Sequence, residues 1–155
     1  MTNNKYMLDT CAINHIIEDE VKLEFILAVN PKCYITYIQK DELDAMKAKH
    51  TDKYSKVFLF LSKIKIKKEP TSVAVLGVWK LGESRLGSGD IYKKVRDYMI
   101  SKKSNKDHIH DAIIADSAHS YQMSLVTDDG LLIEAASKFD IDVLSLSALI
   151  TSLTC

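Results

Sequence analysis

The chain alternates short apolar runs with longer stretches whose apolar residues recur at helical spacing. A first run, Tyr6-Met7-Leu8, predicts a strand over roughly 5–9 that stops at Asp9. Residues 12–28 carry helix-like spacing broken near 18–20, which predicts two short helices. Asn30-Pro31 marks a turn, because proline fixes its own φ and pushes the preceding residue out of the helical region. Lys32-Cys33-Tyr34-Ile35-Thr36 predicts a second strand. After it, Ile38, Glu42, Leu43 and Met46 fall on one helix face, while Asp41, Asp44 and Lys47 turn outward. A carboxylate on an inner face needs a partner, which singles out Glu42.

Val57-Phe58-Leu59-Phe60-Leu61 continues a helix from about Thr51, although an apolar run of that length also suits a strand. Glu69-Pro70-Thr71-Ser72 breaks the chain. Residues 72–86 are ambiguous: Val73-Ala74-Val75 favours a strand and the remainder a helix. Gly87-Ser88-Gly89-Asp90 reads as a loop, with Asp90 the N-cap of a helix to about Lys102. A polar loop, Lys103-Ser104-Asn105-Lys106, precedes a helix through Ile109, Ala112, Ile113, Asp116 and Ser117 that ends near Tyr121. Leu125-Val126-Thr127 predicts a strand, 130–139 a helix, and Asp140-Ile141-Asp142-Val143-Leu144 a last strand before a terminal helix. Strands alternating with helices imply βαβ units and a parallel sheet covered on both faces. The expected fold is one α/β domain over 1–155, a three-layer α/β/α sandwich around a central, mostly parallel sheet. No internal repeat or interdomain linker interrupts it.

Composition narrows the class. Apolar residues make up 46% and charged residues 27% of 155 positions, which suits one folded domain and argues against disorder. No stretch approaches the ~18–20 apolar residues of a membrane span. The N-terminal apolar run is too short for a signal peptide. Cys11, Cys33 and Cys155 lack the spacing of a zinc site or a disulfide framework, so reduced thiols and a cytoplasmic location are expected. The 21 basic and 21 acidic side chains cancel. Lysines nevertheless gather at 63–68 and 93–106, which leaves room for a polyanionic partner.

The acids stand where strands end or helices begin. Asp9 closes the first strand, and Asp128-Asp129 follow the strand at Leu125. Glu42 and Asp111 lie on helices between them. In an open parallel sheet the carboxyl ends of the strands share one edge, and ligands bind in the crevice there. Carboxylates brought together repel one another, and protons or a hard cation relieve that. The pattern predicts a divalent-metal site.

These residues resemble the PIN domain family, metal-dependent ribonucleases that include the VapC-type toxins of bacterial toxin–antitoxin pairs. The resemblance spans nearly the whole chain. It rests on Leu8-Asp9-Thr10, on Glu42-Leu43, on Asp111-Ala112-Ile113-Ile114-Ala115 and on Val126-Thr127-Asp128-Asp129, in which Asp129 matches the fourth acid. Each motif alone is weak, and the four in order are much more specific. Where many members have a polar Asn or Ser after the Asp-Thr pair, this chain has Cys11. Residues 50–100 carry little of the family's signature.

The resemblance implies an endoribonuclease with catalytic Asp9, Glu42, Asp111 and Asp129. Mg²⁺ or Mn²⁺ would be held by Asp9 and Asp129, with Asp111 direct or through water. Glu42 would hold a water on the ion or orient the attacking one. Thr127 would hydrogen-bond a ligand carboxylate or a water. Hydrolysis would leave a 5′-phosphate and a 3′-hydroxyl. A toxin would also pair with a small antitoxin that fills the acid crevice, and a homodimer is a further expectation.

Other readings apply to single residues. Asp116 lies five positions after Asp111, some 140° around a helix at ~100° per residue, so it reaches at most the rim. Asp128 reads as a solvated turn residue, and His108, His110 and His119 as polar helix positions rather than zinc ligands. Lys93, Lys94, Arg96, Lys102, Lys103 and Lys106 are either a solvated face or phosphate contacts that position a backbone without reading its sequence. Arg85 is a weaker candidate of the same kind. An aspartyl phosphatase is disfavoured because Cys11 stands where a second acid is needed. A receiver domain is disfavoured because it needs an acid pair ahead of the phosphorylated Asp and a later strand-end lysine, a constellation this chain does not show in that order. A non-cleaving RNA- or protein-binding module and a housekeeping RNA-processing nuclease remain as alternatives.

Overall fold

The computed structural model describes residues 4–155; Met1-Thr2-Asn3, the start of the N-terminal run, lie outside it. The elements follow in order: β1 Lys5–Leu8, α1 Thr10–Glu18, α2 Glu20–Val29, β2 Lys32–Ile35, α3 Tyr37–Ala45, α4 Thr51–Lys63 and β3 Lys67–Lys68. Then come α5 Asp90–Lys102, α6 Ile109–Ser120, β4 Ser124–Val126, α7 Gly130–Lys138, β5 Val143–Leu144 and α8 Leu146–Thr154. The strands form one sheet in the order β3-β2-β1-β4-β5, and every neighbouring pair is parallel.

Alternation along the strands separates two apolar cores, because successive side chains point to opposite faces. Met7, Tyr34 and Leu125 pack under α5, α6 and α7 with Val95, Met99, Ile113, Ile114 and Leu132. Tyr6, Leu8, Cys33, Ile35 and Val126 face α1, α2, α4 and α8 with Ile13, Ile16, Phe60 and Leu149. Helix α3 contributes Tyr37 and Ile38 to the first core and Leu43 to the second. The result is the expected α/β/α sandwich, with a sheet that is wholly parallel.

Local chemistry sets the boundaries. The predicted break near 18–20 is Asp19, whose carboxylate caps α2 by accepting from the backbone N–H of Val21 and Lys22. Thr36 and Gln39 form a capping box on α3. Residues 57–61 are helical, because Val57, Phe60 and Leu61 bury one face of α4 while Phe58 and Leu59 stay exposed.

Several expectations are corrected. Residues 72–86 form neither a strand nor a helix; the segment is held by turns and one bridge between Thr71 and Ser84. Asp90 is the first residue of α5 rather than its cap, which is Gly89 at φ 74°. The carboxylate at that helix start belongs to Asp116, whose Oδ2 accepts from the Tyr92 N–H at 2.8 Å. Gly87 passes so close to Ser72 that an added Cβ would stand 2.2 Å from its carbonyl oxygen. Strand β3 was not expected, since two exposed lysines carry no apolar pattern; it forms by pairing with Tyr34 and Ile35 of β2. Strand β5 is confined to Val143–Leu144.

Candidate functional site

The strand order places the acids. From β1 the chain moves outward through β2 and β3, then returns to the other side of β1 with β4 and β5. The crevice at such a reversal lies between β1 and β4, at their carboxyl ends. Asp9 follows β1 and Asp128-Asp129 follow β4, so both motifs flank that crevice. Helix α6 leads back into β4, so its N-terminus, with Asp111 in the first turn, opens at the same edge.

Asp9 is buried and caps α1. Its Oδ1 accepts from the Thr10 N–H at 2.8 Å. Its Oδ2 accepts from Thr127 Oγ1 at 2.8 Å and from Cys11 Sγ at 3.1 Å. Cys11, which stands where the resemblance leads one to expect Asn or Ser, thus supplies a hydrogen bond to the first acid. Burial raises the Asp9 carboxyl above its ordinary value; the bonds from Cys11, Thr127 and Thr10 pull the other way, and Glu42 pushes it up further. The Cys11 thiol is itself pushed up to about 11, by burial first and then by the Asp9 charge. Thr127 also accepts from the Asp129 N–H at 3.1 Å, so one hydroxyl ties the first and fourth motifs together. Asp129 caps α7 through Oδ1 alone, accepting from Leu131 and Leu132.

Glu42 is held from two sides: Thr10 Oγ1 donates to Oε2, and His110 Nδ1 lies 3.1 Å from Oε1. Burial works to raise the Glu42 carboxyl, but the bonds from His110 and Thr10 outweigh it and hold the group below its usual value. The same bond raises His110. Asp111 feels burial first, then Asp9, Asp129 and Glu42, and its carboxyl rises to about 6. A cavity of about 500 Å³ opens on Glu42 and Asp111, with Val78 on one wall and Asn105, Lys106, Asp107, His108 and His110 around the rest.

The donor set tests whether a cation suits the site. All four acids offer hard oxygen, the ligand type Mg²⁺ and Mn²⁺ prefer. Beside Asp111, the buried Nδ1 of His108 has no hydrogen-bond partner and lies 3.9 Å from Oδ2, while Nε2 meets the Lys103 carbonyl at 2.7 Å. Among the described residues, no three His, Cys, Asp or Glu side chains stand close enough together to enclose an ion. Mg²⁺ takes one or two protein carboxylates and completes its shell with water, so it does not need three such side chains. The residues fit an ion held largely through water.

The remaining candidates lie elsewhere or play other parts. Asp116 is buried away from the crevice, where it accepts from Ser72 Oγ and Tyr92 N and anchors the 72–91 segment to α6. Asp128 is a bonded turn residue rather than a solvated one: Oδ1 accepts from Leu146 N at 2.9 Å and Oδ2 meets His15 Nδ1 at 2.6 Å. Lys93 and Lys94 sit near the start of α5, about 13 Å along the helix from Lys102. Lys102 lies 3.9 Å from Glu134 on α7, Lys103 is exposed, and Arg96 Nε donates to the Asp107 carbonyl at 2.9 Å. Of that run, Lys106 lines the acid cavity. Arg85 stacks on Tyr121, and His119 is exposed on the last turn of α6.

Three supporting residues escaped the sequence reading. Thr10 and His110 grip Glu42, and Gln39, fully buried, donates from Nε2 to the Leu8 carbonyl at 3.2 Å just beneath Asp9. The spacing Thr36-x-x-Gln39 is a readable capping-box signal. Thr10 stands in the Asp-Thr motif and His110 at a helix start, but nothing local pairs either with Glu42, which is far away in sequence.

No protein-family model matches the chain, and no curated protein matches it in sequence. Solved structures do match in fold. A chain of VapBC2 from Rickettsia felis, bound to a DNA fragment from the complex's promoter, superposes with a TM-score of 0.59 at 19% identity, over 91% of this chain and 98% of that one. DNA-bound VapBC from Salmonella typhimurium gives 0.59 at 19%, over 92% and 98%. PAE2754 from Pyrobaculum aerophilum gives 0.56 at 15%, over 97% and 95%. At these identities the likeness is one of architecture: the chain has the PIN, VapC-like fold that its motifs resemble.

Proposed function

We propose that this chain is a Mg²⁺- or Mn²⁺-dependent endoribonuclease, a single nuclease domain over 1–155, and the toxin of a toxin–antitoxin pair. The observation that carries the reading is the convergence of Asp9, Glu42, Asp111 and Asp129 on the crevice where the strand order reverses. The likeness to VapBC chains supports the toxin part. Three unpaired cysteines and the lack, among the described residues, of any helix long and apolar enough to cross a membrane agree with the proposed cytoplasmic setting.

In this mechanism Asp9, Asp111 and Asp129 would hold the ion, in part through water. When bound, it acidifies a water and offsets charge on the phosphate under attack. Thr127 and Cys11 keep Asp9 aimed into the crevice by occupying one of its oxygens. Glu42, fixed by Thr10 and His110, orients the attacking water in line with the scissile bond. Lys106 meets the RNA backbone at the mouth of the cavity, and the more distant lysines of α5 steer its approach. An antitoxin would place a basic side chain on the carboxylates. A homodimer would use exposed apolar helix positions such as Phe58 and Leu59.

The test is cleavage of a mixed RNA pool with Mg²⁺ or Mn²⁺, beside EDTA and Asp9→Asn. Asparagine still caps a helix, so this variant removes charge with little change in fold. Cleavage that needs both metal and Asp9 and leaves 5′-phosphates is expected. Intact RNA with antitoxin-free, metal-binding protein would favour a non-cleaving module.

A further inference from the structure

Residues 69–89 leave the sheet edge after β3 and return as α5, and they present Leu76, Trp79, Leu81 and Leu86 to solvent. Trp79 differs from the leucines in how firmly its backbone is held. The N–H groups of Val78 and Trp79 both donate to the Val75 carbonyl, at 3.0 and 2.9 Å. On one side of Trp79, the Tyr37 hydroxyl donates to the Val78 carbonyl at 2.7 Å. On the other, the Lys80 ammonium pairs with Asp41 and stands 5.2 Å from the centre of the Tyr37 ring. Tyr37, Asp41 and Glu42 all belong to α3, so the turn is clamped to the helix that carries Glu42. Val78 lines the acid cavity, and Trp79 is the next residue, its Cα about 3.8 Å from that of Val78.

We propose that Trp79 is a base-stacking platform at the rim of the acid cavity, which selects an unpaired nucleotide beside the scissile phosphate. This rests on the nuclease reading above. Trp79 is 47% exposed on a backbone held by hydrogen bonds, so a flat ligand can reach it without the turn moving. The same cavity holds Asn105 and Lys106, which offer a polar and a basic group to the phosphate and sugar. An exposed aromatic ring next in sequence to a residue lining a cavity that holds a lysine is the chemistry of single-strand binding. A duplex keeps its base faces stacked on one another and offers none to Trp79. Lys80, spent on Asp41, serves the platform rather than the phosphate.

Trp79 is the chain's one tryptophan, so its emission reports on this surface directly. Wild-type protein in EDTA, which holds cleavage off, is titrated with short oligo-U, oligo-A and oligo-C RNAs and with an annealed A–U duplex. Saturable quenching by single strands, with the duplex far weaker, is expected. Trp79→Leu should weaken binding, followed by anisotropy of labelled RNA, roughly tenfold or more. It should raise KM for metal-dependent cleavage with kcat little changed, while Trp79→Phe recovers much of the loss and the melting temperature stays put. RNA that binds or is cut without altering the indole emission would overturn the platform and leave the nuclease standing. Quenching with no cleavage after metal is restored would do the reverse. No RNA binding by anisotropy would overturn the platform as well.

Discussion

Burial and three neighbouring carboxylates act together on Asp111. Its carboxyl is raised from 3.8 to about 6, so the folded protein holds a proton that the unfolded chain has released. Stability therefore falls as pH rises between those values, and above about 6 the full burden is present. Asp111→Asn should stabilise the metal-free protein at neutral pH by about 1–2 kcal/mol after allowance for solvent screening, roughly 3–6 °C in Tm. The gain should vanish below pH 3.8. An equal Tm for both proteins at neutral pH would show that the acids do not burden one another. Thiol chemistry probes the same pocket from another side. Burial raises Cys33 to about 12, Cys11 stands at about 11, and Cys155 is exposed. Ellman's reagent at mildly alkaline pH should therefore find one fast thiol per native chain, at Cys155. Rapid labelling of Cys11 would mean that the Asp9 pocket opens in solution.

At the level of elements, the join between the 69–89 segment and α6 shows how a helical acid is used structurally. Asp116 projects away from Asp111 by the helix period, and there it meets Ser72 Oγ and the N-terminal turn of α5. Gly87 lets the chain pass the Ser72 carbonyl within a distance that no side chain permits. Removing Asp116 takes the carboxylate acceptor from the part-buried Tyr92 N–H and leaves the buried Ser72 hydroxyl with Ser117 Oγ at 3.3 Å. Asp116→Ala should cost about 2–4 kcal/mol in urea denaturation, with activity per folded molecule preserved. A stable but inactive Asp116→Asn would return this residue to the list of catalytic candidates. The irregular segment was illegible in advance because turns and cross-links hold it, and Val73-Ala74-Val75 alone suggests a strand that finds no partner. Strand β3 was illegible for the complementary reason: the sheet edge recruits Lys67 and Lys68 through their backbones alone.

For the whole molecule, a cation should act as a stabiliser, since a ligand bound only by the folded state raises Tm by mass action. Mg²⁺ at about 100 times its Kd should add about 2.7 kcal/mol. The increment should be larger above pH 6 than below pH 5, because binding must displace the proton on Asp111. Asp9→Asn should shrink it at every pH. A melting curve indifferent to Mg²⁺, against matched ionic strength, would count against the metal site.

By itself the sequence determined the alternation of strands and helices, the parallel sheet and the placement of acids at strand ends and helix starts. These are local properties, written in apolar periodicity and in the capping chemistry that puts Asp9 and Asp129 where helices begin. Capping and site geometry coincide here, because a parallel sheet gathers the starts of its helices at one edge. Only the tertiary structure decided what surrounds each acid. Thr10 and His110 reach Glu42, Thr127 reaches Asp9, and Trp79 is clamped to α3 through contacts between residues far apart in the chain. Such contacts leave no periodic trace, because they arise when the sheet order brings separate segments together.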